Sequence, residues 1–146
     1  MGALFASAIV AACAGVTLAG GATAQQVPEI ANPNLNDIAI AVMTPTGPVI
    51  FWNPTICFNQ VGLLVCGFYK AQEYGHVMLG HLQMGTYPPV AEMQADCFGA
   101  QHAAPAEVNA AIQAFQQQGP AGDASHGSGF QRAARLNDAR MGNCHW

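Results

Sequence analysis

The sequence predicts an α+β fold in which a short N-terminal β-hairpin or small sheet packs on a helical core of about four helices. Two short β-prone runs, Asp37 to Met43 and Val49 to Trp52, flank the turn-forming segment Thr44 to Pro48. The stretches that follow have apolar spacing and boundary residues that favour helices. With 146 residues in all, we expect residues 25–146 to form a single domain.

Four later stretches account for the helices. Pro88-Pro89 favours a helix start, and Gly119 is a typical helix stop. The segment Thr55 to Val65 is apolar and is assigned to neither helix nor strand. The first, central helix is predicted to begin between Cys66 and Tyr69 and to end near Gly80 to Gln83. The other three are predicted to span Val90 to Ala100, Ala106 to Gln118 and Phe130 to Met141.

Charged residues are scarce along the whole chain. Four Lys and Arg residues stand against eight Asp and Glu residues, and neither sign forms a cluster. A surface that binds nucleic acid needs a basic patch that attracts phosphates. We therefore expect no nucleic-acid partner.

The first 24 residues resemble a secretory signal peptide. Leu4 to Val16 is small and apolar, and Ala22-Thr23-Ala24 gives the small-x-small pattern that signal peptidase cuts. An alternative is a lipoprotein signal with Cys13 as the lipidated residue. The apolar run is shorter than the roughly 20 residues of a membrane-spanning helix, so the mature chain is predicted to lack one.

Four cysteines remain in the predicted mature chain: Cys57, Cys66, Cys97 and Cys144. An even number in a small exported chain predicts two disulfides in a periplasmic or extracellular protein. Three pairings are possible, and the sequence does not choose among them. Cys57 with Cys66 would be a local link, and Cys97 with Cys144 would tie the C-terminus to the core. Free buried thiols or a cysteine metal site remain the alternative.

Two predicted helices carry the candidate site. In the first, Gln72, Glu73 and His76 project together, in a pattern that differs from H-E-x-x-H by having Gln72 in place of the first histidine. In the second, Glu92 and Asp96 lie one turn apart on one face. Two like charges at this spacing repel each other, and a metal ion or an imidazole beside them would relieve the repulsion.

These motifs, with the segment Ser125 to Arg132, resemble the exported neutral zinc metallopeptidases and related small gluzincins over roughly Val49 to Cys144. In that family, two histidines of H-E-Y-G-H and a glutamate of E-x-x-A-D bind zinc, and the aspartate supports a ligating histidine. The resemblance implies a zincin-like core and a Zn2+ cofactor. It implies the following roles: His76 and Glu92 as ligands, Gln72 as a doubtful ligand, Glu73 as general base and Asp96 behind the ligands.

Two other histidines are candidate supporting residues. His81 lies about 140° around the helix from His76 and could join the same site only if the helix breaks between them. His126 precedes the last predicted helix. We expect His126 and Arg132 to cap a helix or to pair with Asp96 or Asp123.

The expected function is zinc-dependent hydrolysis of peptide bonds in a peptide or protein substrate, weakened by Gln72. Zinc with three protein ligands activates a water molecule, and Glu73 would accept the water proton. An edge strand, Val49 to Trp52, would hold an extended substrate. One alternative is an inactive pseudo-protease that acts as a secreted binding module. Another is a structural secreted domain in which Glu73, His76 and Glu92 form a buried polar network.

Overall fold

A computed structural model of the chain describes residues 26–85 and 87–144. The predicted signal peptide and Cys13 lie outside these residues. The described part combines a three-stranded sheet with a helical core, so the predicted α+β class is confirmed. The strands of this sheet are β1 (Glu29–Ala31), β2 (Ala39–Thr44) and β3 (Gly47–Trp52).

The strand order of the sheet is β1-β3-β2. β2 and β3 form the predicted antiparallel hairpin, closed by the pair Thr44 and Gly47. β1 was not predicted, and it pairs in parallel with β3. The expectation that Val49 to Trp52 is a substrate-binding edge strand is wrong, because β3 is central and is already hydrogen-bonded on both sides.

Seven helical segments follow the sheet within the described residues. A short α1 (Pro54–Ile56) leads into a π-helical turn (Cys57–Val61), and a 3-10 turn (His81–Gln83) follows the central helix. The four long helices are α2 (Leu63–Met78), α3 (Pro89–His102), α4 (Pro105–Gln118) and α5 (Gly129–Arg140).

The central helix α2 begins and ends earlier than predicted. It starts at Leu63, directly after Gly62. Gly62 has a φ of 85° and interrupts the helical backbone between the π-helical turn and α2. It ends at Met78, because Gly80 adopts the left-handed conformation with a φ of 76°. The sequence between Thr55 and Val65, left unassigned, is therefore helical throughout most of its length.

The main apolar core lies among the four long helices. Phe68 of α2, Phe115 of α4 and Leu136 of α5 are buried there. A smaller cluster joins the sheet to α2. At the α2–α3 contact, a Cβ on Gly99 would lie 3.2 Å from the backbone nitrogen of Gln72. The missing side chain lets the two helices approach closely enough for their polar residues to meet.

Two disulfides join the four cysteines of the described chain. Cys57–Cys66 links the π-helical turn to α2, and Cys97–Cys144 links α3 to the C-terminal segment. Their Cα atoms are 5.4 Å and 6.0 Å apart, within the usual range for disulfides. The prediction of two disulfides is confirmed. No helix in the described ranges has the length and hydrophobicity needed to cross a membrane.

Candidate functional site

The carboxylate of Glu92 lies at the centre of the candidate site. Its Oε2 atom is 3.2 Å from His76 Nε2 and 3.3 Å from Gln72 Nε2. Gln72 and His76 lie one turn apart on α2 and face the first turn of α3, where Glu92 is located. All three residues are buried. The structure therefore brings together the two predicted ligands, His76 and Glu92, and the doubtful third one, Gln72.

His126 reaches the same oxygen from a different part of the chain. Its Nε2 lies 3.0 Å from Glu92 Oε2, and its Nδ1 lies 3.0 Å from Asp123 Oδ2. It occupies the turn of a small hairpin formed by β4 (Gly122–Asp123) and β5 (Gly127–Ser128). Asp123 Oδ1 fixes this turn by accepting the backbone N–H groups of Ser125 and His126, each at 2.8 Å. The pairing of His126 with Asp123 was anticipated, whereas its contact with Glu92 was not.

His81 joins the site because the helix breaks before it. Gly80 redirects the chain, and His81 Nδ1 comes within 3.1 Å of His76 Nδ1. The other ring nitrogen of His81 is 3.1 Å from Gln94 Oε1. The ring of Tyr87 stacks on His76 with a centroid distance of 4.3 Å. Neither Gln94 nor Tyr87 was identified from the sequence, and no motif marks them.

Among residues 26–85 and 87–144, Asp96 forms no hydrogen bond or ion pair with a histidine. It is fully buried and accepts hydrogen bonds from Arg132, at 2.7 Å and 3.2 Å, and from Arg135 at 2.5 Å. Arg132 also donates to Gln72 Oε1 at 3.3 Å. Asp96 was expected to support a ligating histidine. It is instead hydrogen-bonded to Arg132, which in turn is hydrogen-bonded to Gln72. Arg135 was missed, although the concentration of arginines in the last helix was a signal for such a pair.

Glu73 points toward the sheet rather than into the Glu92 cluster. Its Oε2 accepts the backbone N–H of Ala41 on β2 at 2.8 Å. Burial raises the pKa of Glu73 to about 7, although the charge of His76 and the Ala41 N–H oppose this shift. A carboxyl group with a pKa near 7 is well suited to proton transfer at neutral pH.

The electrostatics of the cluster favour an ionised Glu92. Burial alone would raise the pKa of Glu92, but hydrogen bonds from His126 and His76 outweigh it and lower that pKa to about 2. The same contact with Glu92 raises the pKa of His126, against the opposing effect of burial. Burial lowers the pKa of His81. A buried carboxylate thus contacts two imidazoles, and it raises the pKa of one of them, His126.

The donor atoms fit zinc in kind, but they are now hydrogen-bonded to one another. In residues 26–85 and 87–144, no three His, Cys, Asp or Glu side chains are disposed as a complete metal site. The contacts of 3.0 Å and 3.2 Å to Glu92 are slightly shorter than the roughly 3.3–3.4 Å that separates neighbouring ligand atoms around tetrahedral zinc with bonds of about 2.0–2.1 Å. These two contacts to Glu92 are therefore close to the spacing of neighbouring zinc ligands.

Comparison of the chain with protein-family models, with curated proteins and with solved structures finds no match. The assignment of a function therefore depends on the residues and geometry described above.

Proposed function

We propose that this chain is an exported, zinc-dependent, metallopeptidase-like protein of the gluzincin type, with His76 and Glu92 among its metal ligands and weak activity on peptide bonds. The observation that carries the proposal is the convergence of His76 Nε2 and a second imidazole on one oxygen of an ionised, buried Glu92. Two histidines and a glutamate are the donor set found in catalytic zinc sites such as that of thermolysin. The two disulfides fit an oxidising extracytoplasmic compartment.

The side chain of Glu73 and the outer edge of β2 have defined parts in this proposal. Zinc, when bound, would polarise the substrate carbonyl and activate a water molecule. Glu73 would accept the water proton. Burial raises its pKa to about 7, which suits proton transfer at neutral pH. Release of its hydrogen bond to Ala41 would free the Glu73 carboxylate to rotate toward the site. The outer edge of β2, which carries Ala41, replaces β3 as the strand available to an extended peptide.

The proposal is tested by zinc titration against a chromophoric chelator, together with a casein-type assay with and without EDTA. We expect one zinc ion per chain and weak, chelator-sensitive hydrolysis. His76→Ala should reduce zinc affinity at least about 100-fold, because loss of a direct ligand costs more than loss of a residue that supports one. His102→Ala is the matched control, since His102 contacts the Phe98 carbonyl and lies outside the Glu92 cluster. Absence of zinc binding by the unmodified chain would contradict the proposal.

One specific observation favours a domain without a metal, either the pseudo-protease or the structural secreted domain, as the second candidate. In the described part of the chain, every buried side-chain nitrogen and oxygen has a hydrogen-bond partner without a metal. A fully satisfied network can be stable as a purely structural feature. For this candidate, the titration would show no zinc, and His76→Ala would reduce stability without changing metal content.

A further inference from the structure

The Glu92 cluster holds two imidazoles whose Nε2 atoms face one carboxylate oxygen. His76 comes from α2, and His126 comes from the β4–β5 turn, yet both rings approach Glu92 Oε2 to within 3.2 Å. Gln72 stands where a family member has its first histidine ligand. The question is which side chain supplies the third metal ligand in this chain.

Both imidazoles are fixed through the nitrogen that faces away from Glu92. His126 Nδ1 lies 3.0 Å from Asp123 Oδ2, and His76 Nδ1 lies 3.1 Å from His81 Nδ1. Histidines that bind metals almost always donate their second ring N–H to a carboxylate, a carbonyl or another polar group. Such a hydrogen bond fixes the orientation of the ring, and for His126 the partner is the carboxylate of Asp123.

The Glu92 carboxylate oxygen is the atom on which the cluster converges. His76 Nε2 and His126 Nε2 lie 3.2 Å and 3.0 Å from the same Oε2 atom. A carboxylate oxygen can only accept, so each of these contacts needs a proton or a cation between its two atoms. A metal ion bound at this point would take the place of those protons.

Gln72 is unsuited to be that third ligand. Its Nε2 donates to Glu92, so its only metal-binding atom is Oε1, which accepts from Arg132 at 3.3 Å. The guanidinium of Arg132 is in turn held by Asp96. To bind a metal, Gln72 Oε1 would either have to leave this contact or bring the cationic guanidinium of Arg132 close to the metal.

We infer that His76, Glu92 and His126 form the metal site of this chain, with Gln72 excluded from it. The inference is based on the proposed zinc-binding function and specifies its ligand set. One ligand thus comes from a surface hairpin instead of the central helix. The His126 side chain is 32% exposed, whereas those of His76 and Glu92 are 1% and 6% exposed, so a metal ion would approach from the hairpin side.

The test compares zinc affinity in the oxidised, purified mature chain and three variants, by competition with a chromophoric chelator. His126→Ala should lower the affinity at least about 10–100-fold. Gln72→Met removes the amide oxygen while keeping a similar side-chain volume, and because Gln72 only donates a hydrogen bond to Glu92, it should lower the affinity less than His126→Ala does. His102→Ala is the control for loss of a histidine outside the cluster. Cobalt(II) absorption provides a second readout, because the ligand-field bands should weaken in His126→Ala and persist in Gln72→Met.

Thermal unfolding in EDTA establishes that each variant is folded, and His126→Asn replaces His126→Ala if the latter is not. Unchanged affinity in both His126 variants would overturn the inference. So would a large loss in Gln72→Met with none in His126→Ala, although the proposed zinc function would then stand. Absence of zinc binding in the unmodified chain would instead overturn the proposed function and the inference together.

Discussion

Glu73 is a buried residue whose ionisation affects the stability of the folded chain. Its carboxyl group is buried, and burial raises its pKa from 4.5 to about 7. The folded state therefore binds a proton more tightly than the unfolded state does, so the stabilisation from this proton is complete below pH 4.5. It is lost as the pH rises through about 7.

Glu73→Gln should therefore change the pH dependence of stability. Glutamine keeps an oxygen that can accept the Ala41 N–H but does not ionise. The unmodified chain should lose the stabilisation from the Glu73 proton between pH 4.5 and pH 8, and the variant should not. The free energy of unfolding of the variant, relative to that of the unmodified chain, should therefore rise by about 2–3 kcal/mol over this range, because one pKa unit corresponds to about 1.4 kcal/mol. Urea unfolding at the two pH values in EDTA measures this gain. Parallel pH profiles for the two proteins would contradict the account of Glu73.

Gln72 is the second residue with a defined prediction. Gln72→His should bind zinc about tenfold more tightly or better, because it would add an imidazole nitrogen, a strong zinc ligand, at a position where the amide of Gln72 supplies none. Peptidase activity should rise with it. Zinc competition and a casein-type assay on both forms check this. Robust, chelator-sensitive activity that is the same in both forms would show that position 72 does not limit the site.

At the scale of elements, the contact between α2 and α3 determines whether the site can form. Gly99 allows the close approach, because a Cβ there would meet the backbone of Gln72 at 3.2–3.3 Å. Gly99→Ala should cost about 1–3 kcal/mol, the usual range for overpacking a tight contact. It should also weaken zinc binding, since the helices that carry His76 and Glu92 must separate.

Thermal or urea unfolding and zinc titration of Gly99→Ala test this expectation. Gln101→Ala is a suitable control, because Gln101 is exposed on the same helix and such substitutions usually change stability by less than about 0.5 kcal/mol. Equal stability of Gly99→Ala and the control would show that the close contact is unimportant.

Elements bounded by strong local signals were predicted within one or two residues. α4 has Gly119 as its stop, and α3 begins at Pro89. β1 was missed because its three residues have no pattern of their own and pair with a strand about 20 residues away. The β4–β5 hairpin has two residues per strand, too few for a period to be visible. The position of His126 therefore could not be derived from local sequence.

At the scale of the whole molecule, the polar network joins α2, α3, α5 and the β4–β5 hairpin. The pair Glu92 and His76 was predictable, because each lies on a helix with clear phase. For Arg132 the sequence offered Asp96 and Asp123 as partners, and the structure pairs it with Asp96, 36 residues away. The contact between Asp96 and Arg135, 39 residues apart, was not predicted, because no local pattern selects this arginine. Helical phase identifies a face, but only tertiary packing decides what that face meets.

The disulfides also act at this scale. In the chain-entropy model, a bridge that closes a loop of 47 residues contributes about 4 kcal/mol, and one that closes 9 residues about 2.6 kcal/mol. Replacing Cys97 and Cys144 by serine should therefore reduce stability more than replacing Cys57 and Cys66. Urea unfolding of the two double variants measures the difference. A larger loss from the Cys57–Cys66 pair would contradict this account.

His76, Glu92 and His126 are proposed to converge on one zinc ion. Crystals grown with zinc, with anomalous diffraction data collected on both sides of the zinc absorption edge, would show this ligand set without any substitution. The proposed ligand set predicts one strong anomalous peak per chain, about 2.0–2.2 Å from His76 Nε2, His126 Nε2 and a Glu92 oxygen, with Gln72 Oε1 still bound to Arg132. A zinc peak ligated by Gln72 instead of His126, or no peak at Glu92 in zinc-saturated crystals, would contradict it.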